Sequence, residues 1–368
     1  MRDLIAYRIK YVPHPVTGNK YCIYPSYDYT HCLNDSMEDI THSLCTLEFL
    51  PRRESYMWLL DALDMYKPVV WEFSRLNITR TVMSKRKLLA MVNKGIVKGW
   101  DDPRMPTLVG LRRRGYSANA IKDFCDAVGV TTNTTVWHDW SVLEHHCRLD
   151  MEATATRAMA IFDPLRVEIT NYPEGKVEMV RRPNHPADPS KGTNEVPFSR
   201  IVYIERSDFR EEDQKDFWGL SPNKEVGLRY TYNITCTGVE RNASGEVVKV
   251  LAVYDESNKG KPKGRLHWVS EGASGVAPCR AEARLYGHLF NSEHPDELPN
   301  WLEDINPDSL KVVRPLIDQS LTKVAPGQAF QFERVGFFVV DQDSNSDNIV
   351  FNRTVGLKES KEKAGIKQ

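Results

Sequence analysis

The sequence predicts an α/β domain, then a small helical segment, then a long all-β region. Three observations predict this. Strand-like and helix-like stretches alternate from Leu4 to Asn77, as they do where crossover helices link a parallel sheet. Helical spacing dominates from the basic stretch at Lys85 to about Thr154. After Asp163-Pro164 the apolar residues alternate with period two. At 368 residues the chain has room for two or three domains, each with its own core. The boundaries read as 1–80, 81–155 and 156–368.

In order, Leu4 to Val12 alternates apolar and polar residues, Pro13 to Gly18 turns the chain, and Lys20 to Tyr24 reads as a second strand. Pro25 to Cys32 is expected to be a loop, and Tyr27, Asp28 and His31 then stand where an α/β fold keeps ligand groups. Ser36 with Asp39 weakly resembles a capping box before a short helix. Ser43 to Phe49 is apolar enough for a buried strand. Glu54 to Leu63 puts Tyr56, Leu59, Leu60 and Leu63 on one helical face. Val69 to Phe73 is the next strand and runs into Ser74–Asn77. A sheet only this wide is half of a doubly wound fold.

Thr81 to Leu88 is a basic loop feeding a helix marked by Leu88, Leu89, Met91 and Val92, with Ser84 as its expected N-cap and Gly95 as its end. Arg112-Arg113-Arg114 leads towards Ser117, the expected cap of a helix whose Ile121, Phe124, Cys125 and Val128 share a face. In the β region, Leu165/Val167/Ile169 and Val226/Leu228/Tyr230/Tyr232 alternate, and Asn242–Gly245 is a hairpin-type turn. Arg265–Val269, Ala329–Phe332, Gly336–Val340 and Ile349–Thr354 add strands, so this region reads as barrels. One helix is expected near Ala281–Phe290. Lys259 to Gly264 reads as an exposed basic loop, and Lys358 to Gln368 as a charged, frayed tail.

Charge is unevenly placed. Lys+Arg is 49 against Asp+Glu 50, yet Arg75–Phe124 holds twelve cations and three acids, and Glu293–Asp308 six acids and no Lys or Arg. A basic block of this kind draws in phosphates. No apolar run reaches transmembrane length, Met1-Arg-Asp begins no signal peptide, and seven scattered Cys read as reduced thiols. The chain is expected to be soluble and cytoplasmic.

Few constellations carry chemistry alone. Cys32, His42 and Cys45, with His31, fit no standard zinc spacing. There is no Gly-rich phosphate loop and no Gly-x-Ser-x-Gly elbow. Met83-Ser84-Lys85, with Arg86 and Lys87 behind it, suits gripping a polyphosphate, because cations there can follow charge developing on a leaving group.

Tyr24–Cys32, Thr41–Phe49, Glu72–Asn77, Val82–Leu88, Gly99–Pro106 and Gly110–Gly115 all resemble the glutaminyl-tRNA synthetases, which are class I aminoacyl-tRNA synthetases. Arg157–Pro164, Pro183–Pro186, Asp208–Glu212, Phe330–Arg334 and Phe351–Gly356 continue the likeness in order over nearly the whole chain. The resemblance implies the second half of a class I Rossmann-like catalytic fold, a small helical subdomain and two anticodon-binding β-barrels. It implies ATP with Mg²⁺, glutamine and tRNA(Gln) as reactants and partners, with no protein ligand for the metal. Lys85 and Ser84 would serve catalysis, Lys85 by stabilising the leaving pyrophosphate. Arg75, Leu76, Met83, Ser84 and Lys85 would hold ATP. Tyr27 and His31 would read the glutamine amide, with Cys45 lining the pocket; such groups donate or accept and so match a neutral amide. Arg157, Gln331 and Arg334, on barrel loops, would touch unstacked anticodon bases.

The glutamyl-tRNA synthetases share the fold. Thr30–Cys32 and Leu44–Thr46 look like the glutamine-specific forms, and the arginine expected near Cys45 in the glutamate enzyme is absent. No His-x-Gly-His motif occurs, so the chain is expected to be a C-terminal portion of the enzyme, or a tRNA-binding module without activity. Val70 stands where a pocket glutamine is often found, and Trp218-Gly219 where anticodon-contacting basic residues can occur.

Overall fold

The computed structural model describes residues 4–272 and 277–358, in two compact units. The tail beyond 358 lies outside the described residues.

The first unit comprises residues up to Ile78 together with Asp126–His138. Strands His42–Thr46 and Val69–Phe73 pair in parallel, His42 opposite Val69 and Thr46 opposite Phe73. Helices α1 (Tyr27–Met37) and α2 (Arg53–Ala62) pack through Cys32, Tyr56 and Leu60, with Leu33, Met57, Leu59 and Val70 around them. The stretch expected as a loop at Pro25–Cys32 is therefore mostly helix. Its Asp, Thr, Asn and Ser residues argue locally against helix, but Cys32, fully buried, ties it to α2. Ser36 sits inside α1, not before a helix, and Asp39 leaves the helix at φ 57°. The expected strand at Ser43–Phe49 stops at Thr46 and becomes a 3₁₀ turn, Leu47–Arg52. A short antiparallel pair, Tyr7–Ile9 with Ile23–Pro25, occupies the shortened first two strands.

The second unit comprises Thr79–Cys125 and Asp139 onward. Its helices are α3 (Lys85–Asn93), α4 (Leu108–Arg114), α5 (Ala118–Val128) as far as Cys125, and α6 (Trp140–Thr154). The arginines at 112–114 form the last turn of α4, where cations suit the carbonyl end of the helix dipole, and lead into the start of α5 as expected. Ser117 does cap α5, accepting the Ala120 N–H at 3.0 Å.

A seven-stranded sheet runs in the order Arg265–Leu266, Glu225–Leu228, Asn233–Arg241, Val247–Asp255, Pro164–Ile169, Ile201–Glu205, Val269–Ser270. Its two edge strands are consecutive in sequence, with only His267 and Trp268 between them, so the sheet curls round on itself. Val167, Phe198, Ile204, Leu228 and Trp268 fill the interior. A six-stranded sheet runs Leu310–Val313, Glu282–Tyr286, Val350–Gly356, Gly336–Val340, Ala329–Phe332, Thr156–Ala158. The expected helix at Ala281–Phe290 is thus a strand. Ala281 and Ala283 are fully buried and leave room for Phe330, Phe332 and Phe351. Val226–Tyr232 is also broken, because Tyr230 adopts φ 68°.

Among the described residues no helix is long and apolar enough to cross a membrane, and no group of three or more His, Cys, Asp or Glu side chains could hold a metal.

Candidate functional site

In the first unit, Tyr27, His31 and Cys45 share one small pocket with Asp28, Phe49, Arg52, Arg53, Tyr56, Val70 and Glu72. Parallel pairing puts Cys45 opposite Glu72, and α1 places Tyr27 and His31 one turn apart. Their rings stack at 4.9 Å, and the Tyr27 hydroxyl lies 3.7 Å from Cys45 Sγ. Partial burial, then the Cys45 thiol, push the Tyr27 phenol up to about 12, so it stays protonated at neutral pH. His31 Nε2 is 3.1 Å from Asp35 Oδ2 and 3.3 Å from Ser43 Oγ, while Tyr56 and Ser43 both donate to Asp35. Burial and the Asp35 bond raise the Tyr56 phenol well above its ordinary value.

No arginine neighbours Cys45 in sequence, yet Arg52 and Arg53 reach this pocket. Each is already matched. Arg52 Nη1 donates to Asp28 at 2.6 Å, and Arg53 makes two bonds to the buried carboxylate of Glu72. Sequence reasoning missed Tyr56, Arg53 and Glu72; the signal available was the helical face carrying Tyr56 and the one acid in Val69–Phe73.

A separate cavity of about 390 Å³ in this unit is lined by Leu47, Glu48, Ser74, Arg75, Asn77 and Thr134. Arg75 is exposed and its Nε donates to Asn77 at 3.0 Å; Leu76 is half-buried. The Thr46 hydroxyl and the residue's own N–H hold Glu48 below the usual carboxylate range, with Arg75 adding to the effect.

Met83, Ser84 and Lys85 lie in the second unit. Ser84 occupies the N-cap of α3 in extended conformation, but its side chain makes no capping bond, contrary to expectation. Lys85 is the first residue of α3 and is exposed, as are Met83 and Arg86. The loop is seated from below. Val82, Leu88, Met91 and Met105 pack on Leu289 and Phe290. Lys87 pairs with Asp296 at 2.8 Å and covers Trp301, and Arg80 donates to the Asn291 carbonyl. The acidic stretch seen in sequence is thus a seat for the basic loop. Asp102 fixes the other side: burial pushes its carboxyl up, but Arg104 and the N–H groups of Lys98 and Arg104 outweigh that and lower it.

Arg157 and Gln331 stand side by side in paired strands, not on loops. Both are buried and both point to Glu152 at the end of α6: Arg157 Nη2 to Oε1 at 2.5 Å, Gln331 Nε2 to Oε2 at 3.5 Å. Arg334 is elsewhere, at φ 66°, donating twice to Asp208 at 2.6 Å and once to His267 Nδ1 at 3.1 Å. Val70 lines the pocket of Tyr27, His31 and Cys45, and Trp218 is exposed.

The first unit is thus an α/β element with a small polar pocket, and the second carries β-sheets whose Arg157 and Arg334 are matched by carboxylates. The catalytic-domain model of the class I tRNA synthetases (E and Q) matches residues 1–153, and their anticodon-binding models match 155–255 and 265–341. The chain belongs to this family. Its relatives include a probable glutamine–tRNA ligase of Dictyostelium discoideum, 56% identical over 99% of this chain and 46% of that protein. The glutamine–tRNA ligase of Lupinus luteus is 52% identical over 99% of this chain and 47% of its own length. That of Salmonella newport is 47% identical, over 99% and 66%. The chain spans about half the length of the first two.

Proposed function

We propose that these residues serve glutamine–tRNA ligation: ATP-dependent activation of glutamine, then transfer to the 3′-terminal ribose of tRNA(Gln). The observation that carries the reading is the pocket of Tyr27, His31 and Cys45, in which both guanidiniums are already matched by carboxylates. A substrate carboxylate finds no unmatched cation there, and Asp35 behind His31 repels it. A neutral amide finds a protonated phenol and an imidazole, each able to donate or accept. This favours glutamine over glutamate.

In this reading Arg75 and Leu76 of the first unit are ATP-binding residues, and Met83, Ser84 and Lys85 of the second are likewise assigned to ATP. Lys85, exposed and ahead of a seated helix, meets charge on the departing pyrophosphate. Mg²⁺ arrives with the ATP phosphates; no residue here is assigned to it. Arg157 and Gln331, and separately Arg334, read anticodon bases from two barrels that follow a helical subdomain. Each arginine is held ready by a carboxylate, Glu152 or Asp208, that RNA must compete with.

A second reading is a tRNA-binding module without activity, which uses only the carboxylate-matched arginines of the β region. Pyrophosphate exchange with glutamine, ATP and tRNA separates the two. Turnover by the 368 residues supports ligation; salt-sensitive tRNA binding without turnover supports the module. Charging with glutamate and not glutamine would overturn the substrate assignment.

A further inference from the structure

We infer that His267 is a positioning residue for Arg334, holding the guanidinium through Nδ1 and taking up a proton at that nitrogen when Arg334 moves onto RNA. The inference rests on the tRNA-reading function proposed above and adds to it a residue and a proton.

His267 is 1% exposed and lies between Arg265–Leu266 and Val269–Ser270, the two edge strands of the curled sheet. Its partner, by contrast, is exposed: Arg334 Nη1 stands 3.1 Å from His267 Nδ1. A guanidinium only donates, so Nδ1 accepts, and the proton of the neutral ring sits on Nε2. Nε2 faces Glu205 Oε1 at 3.6 Å, just beyond hydrogen-bond length. Glu205 accepts the N–H groups of Phe162 at 2.8 Å and Asp163 at 2.9 Å. Burial pushes its carboxyl up, but His267 and those two N–H groups outweigh that and hold it below the usual range.

Arg334 thus has two holders, since Asp208 takes both of its Nη atoms at 2.6 Å. Its backbone is fixed as well. The Glu333 N–H donates to the Ala158 carbonyl and the Val335 N–H to the Phe332 carbonyl, both at 2.9 Å, with Arg334 at φ 66° between them. The other charges on these elements are matched among themselves. Glu333 pairs with Arg229 at 2.6 Å and accepts from Tyr230 at 2.7 Å, and Arg206 pairs with Asp163 at 3.5 Å. The groups left facing His267 are Arg334, Asp208 and Glu205.

When Arg334 leaves for RNA, a cation departs from between two carboxylates and Nδ1 keeps a lone pair with no donor. A proton on Nδ1 replaces both the lost charge and the lost donor. The exchange is guanidinium out, proton in. Because the complex then holds more protons than its free components, affinity for RNA rises as pH falls.

The test counts protons. tRNA(Gln) is titrated calorimetrically into the 368-residue chain at about pH 6.5, in histidine's titrating range, in two buffers of different ionisation enthalpy. The parent should take up about 0.5–1 proton per complex more than His267→Asn, which offers Arg334 an acceptor oxygen but cannot ionise. Arg334→Ala should lose the same uptake, because no guanidinium leaves. Relative to both variants, the affinity of the parent should rise by up to about tenfold per unit fall in pH. A histidine that served packing alone would cost stability in His267→Asn without changing the proton count. Equal counts in the parent and either folded variant overturn the inference, and Arg334→Ala decides if His267→Asn does not fold. The tRNA reading survives that result as long as the parent prefers tRNA(Gln) to other tRNAs. If the parent does not bind tRNA(Gln), that reading fails and the inference fails with it.

Discussion

In the function proposed above, the amino-acid pocket of the first unit and the anticodon groups of the second use the same device, a matched ion pair, to opposite ends. Around Tyr27 and His31, Arg52 and Arg53 are cancelled by Asp28 and Glu72, which leaves a neutral setting for a neutral side chain. In the β region, Arg157 and Arg334 are matched by Glu152 and Asp208, pairs for which the proposed tRNA would compete. The difference lies in what competes for the cation. A small amide cannot displace a carboxylate; a phosphate-rich strand changes the local field by several charges and can. In that reading, matched pairs would act as a filter in one place and as a holder in the other.

The largest effect is expected where no pair exists. Lys85 is exposed with no ion pair among the described residues, so its charge is free for the reaction. Lys85→Ala in the whole enzyme should slow glutamine activation by about 10²–10³-fold, the scale for losing one transition-state charge contact. tRNA affinity should hardly move. Pyrophosphate exchange and filter binding measure the two, and the opposite pattern would refute the role.

The holder is tested next. Arg334→Ala should cost about 1–3 kcal/mol of discrimination between anticodons, because the proposed base contact would be lost and Asp208 left unmatched. Equal weakening on all tRNAs would count against a base contact. The filter is tested by Glu72→Gln. Arg53 then loses its buried carboxylate and can pair with a substrate carboxylate. Glutamate should gain about 1.5–3 kcal/mol relative to glutamine, the scale of a hydrogen bond to a charged group. Competition between the two amino acids in the exchange assay reads this directly, and unchanged preference would mean the pair is only structural.

How much of this the sequence disclosed depends on where each determinant sits. Val69–Phe73, Ala329–Phe332 and Gly336–Val340 are strands with the predicted limits, since their β-branched and aromatic residues pair and pack locally. Two elements reversed. α1 carries residues that locally prefer loops and is helical because Cys32 and Leu33 pack on α2. Glu282–Tyr286 carries Ala, Glu, Arg and Leu, all good helix formers, yet is paired on both sides by Leu310–Val313 and Val350–Gly356. Tertiary partners decided both. The site divides the same way: Tyr27 and His31 could be named from the stretch after the second strand, whereas Glu72 matters through Arg53 and Glu152 through both nearby Arg157 and distant Gln331.

The smallest effect concerns the hydroxyl of Tyr27. Tyr27→Phe removes one neutral hydrogen-bonding group, worth about 0.5–1.5 kcal/mol, so KM for glutamine should rise about 2- to 10-fold with kcat little changed. The pH dependence sharpens this. A tyrosine at its ordinary value near 10 would begin to ionise by about pH 9, placing an anion where the amide binds. Partial burial and the Cys45 thiol hold the Tyr27 phenol at about 12, so KM should stay flat up to about pH 10. The sign for stability follows. The folded state keeps this proton more tightly than the unfolded state, so this group costs nothing below the ordinary value and destabilises the fold only as pH rises from about 10 towards 12. A KM that climbs from about pH 9 in the parent enzyme but not in Tyr27→Phe would show the phenol ionising early, and the filter would then depend on its charge as well as on the matched arginines.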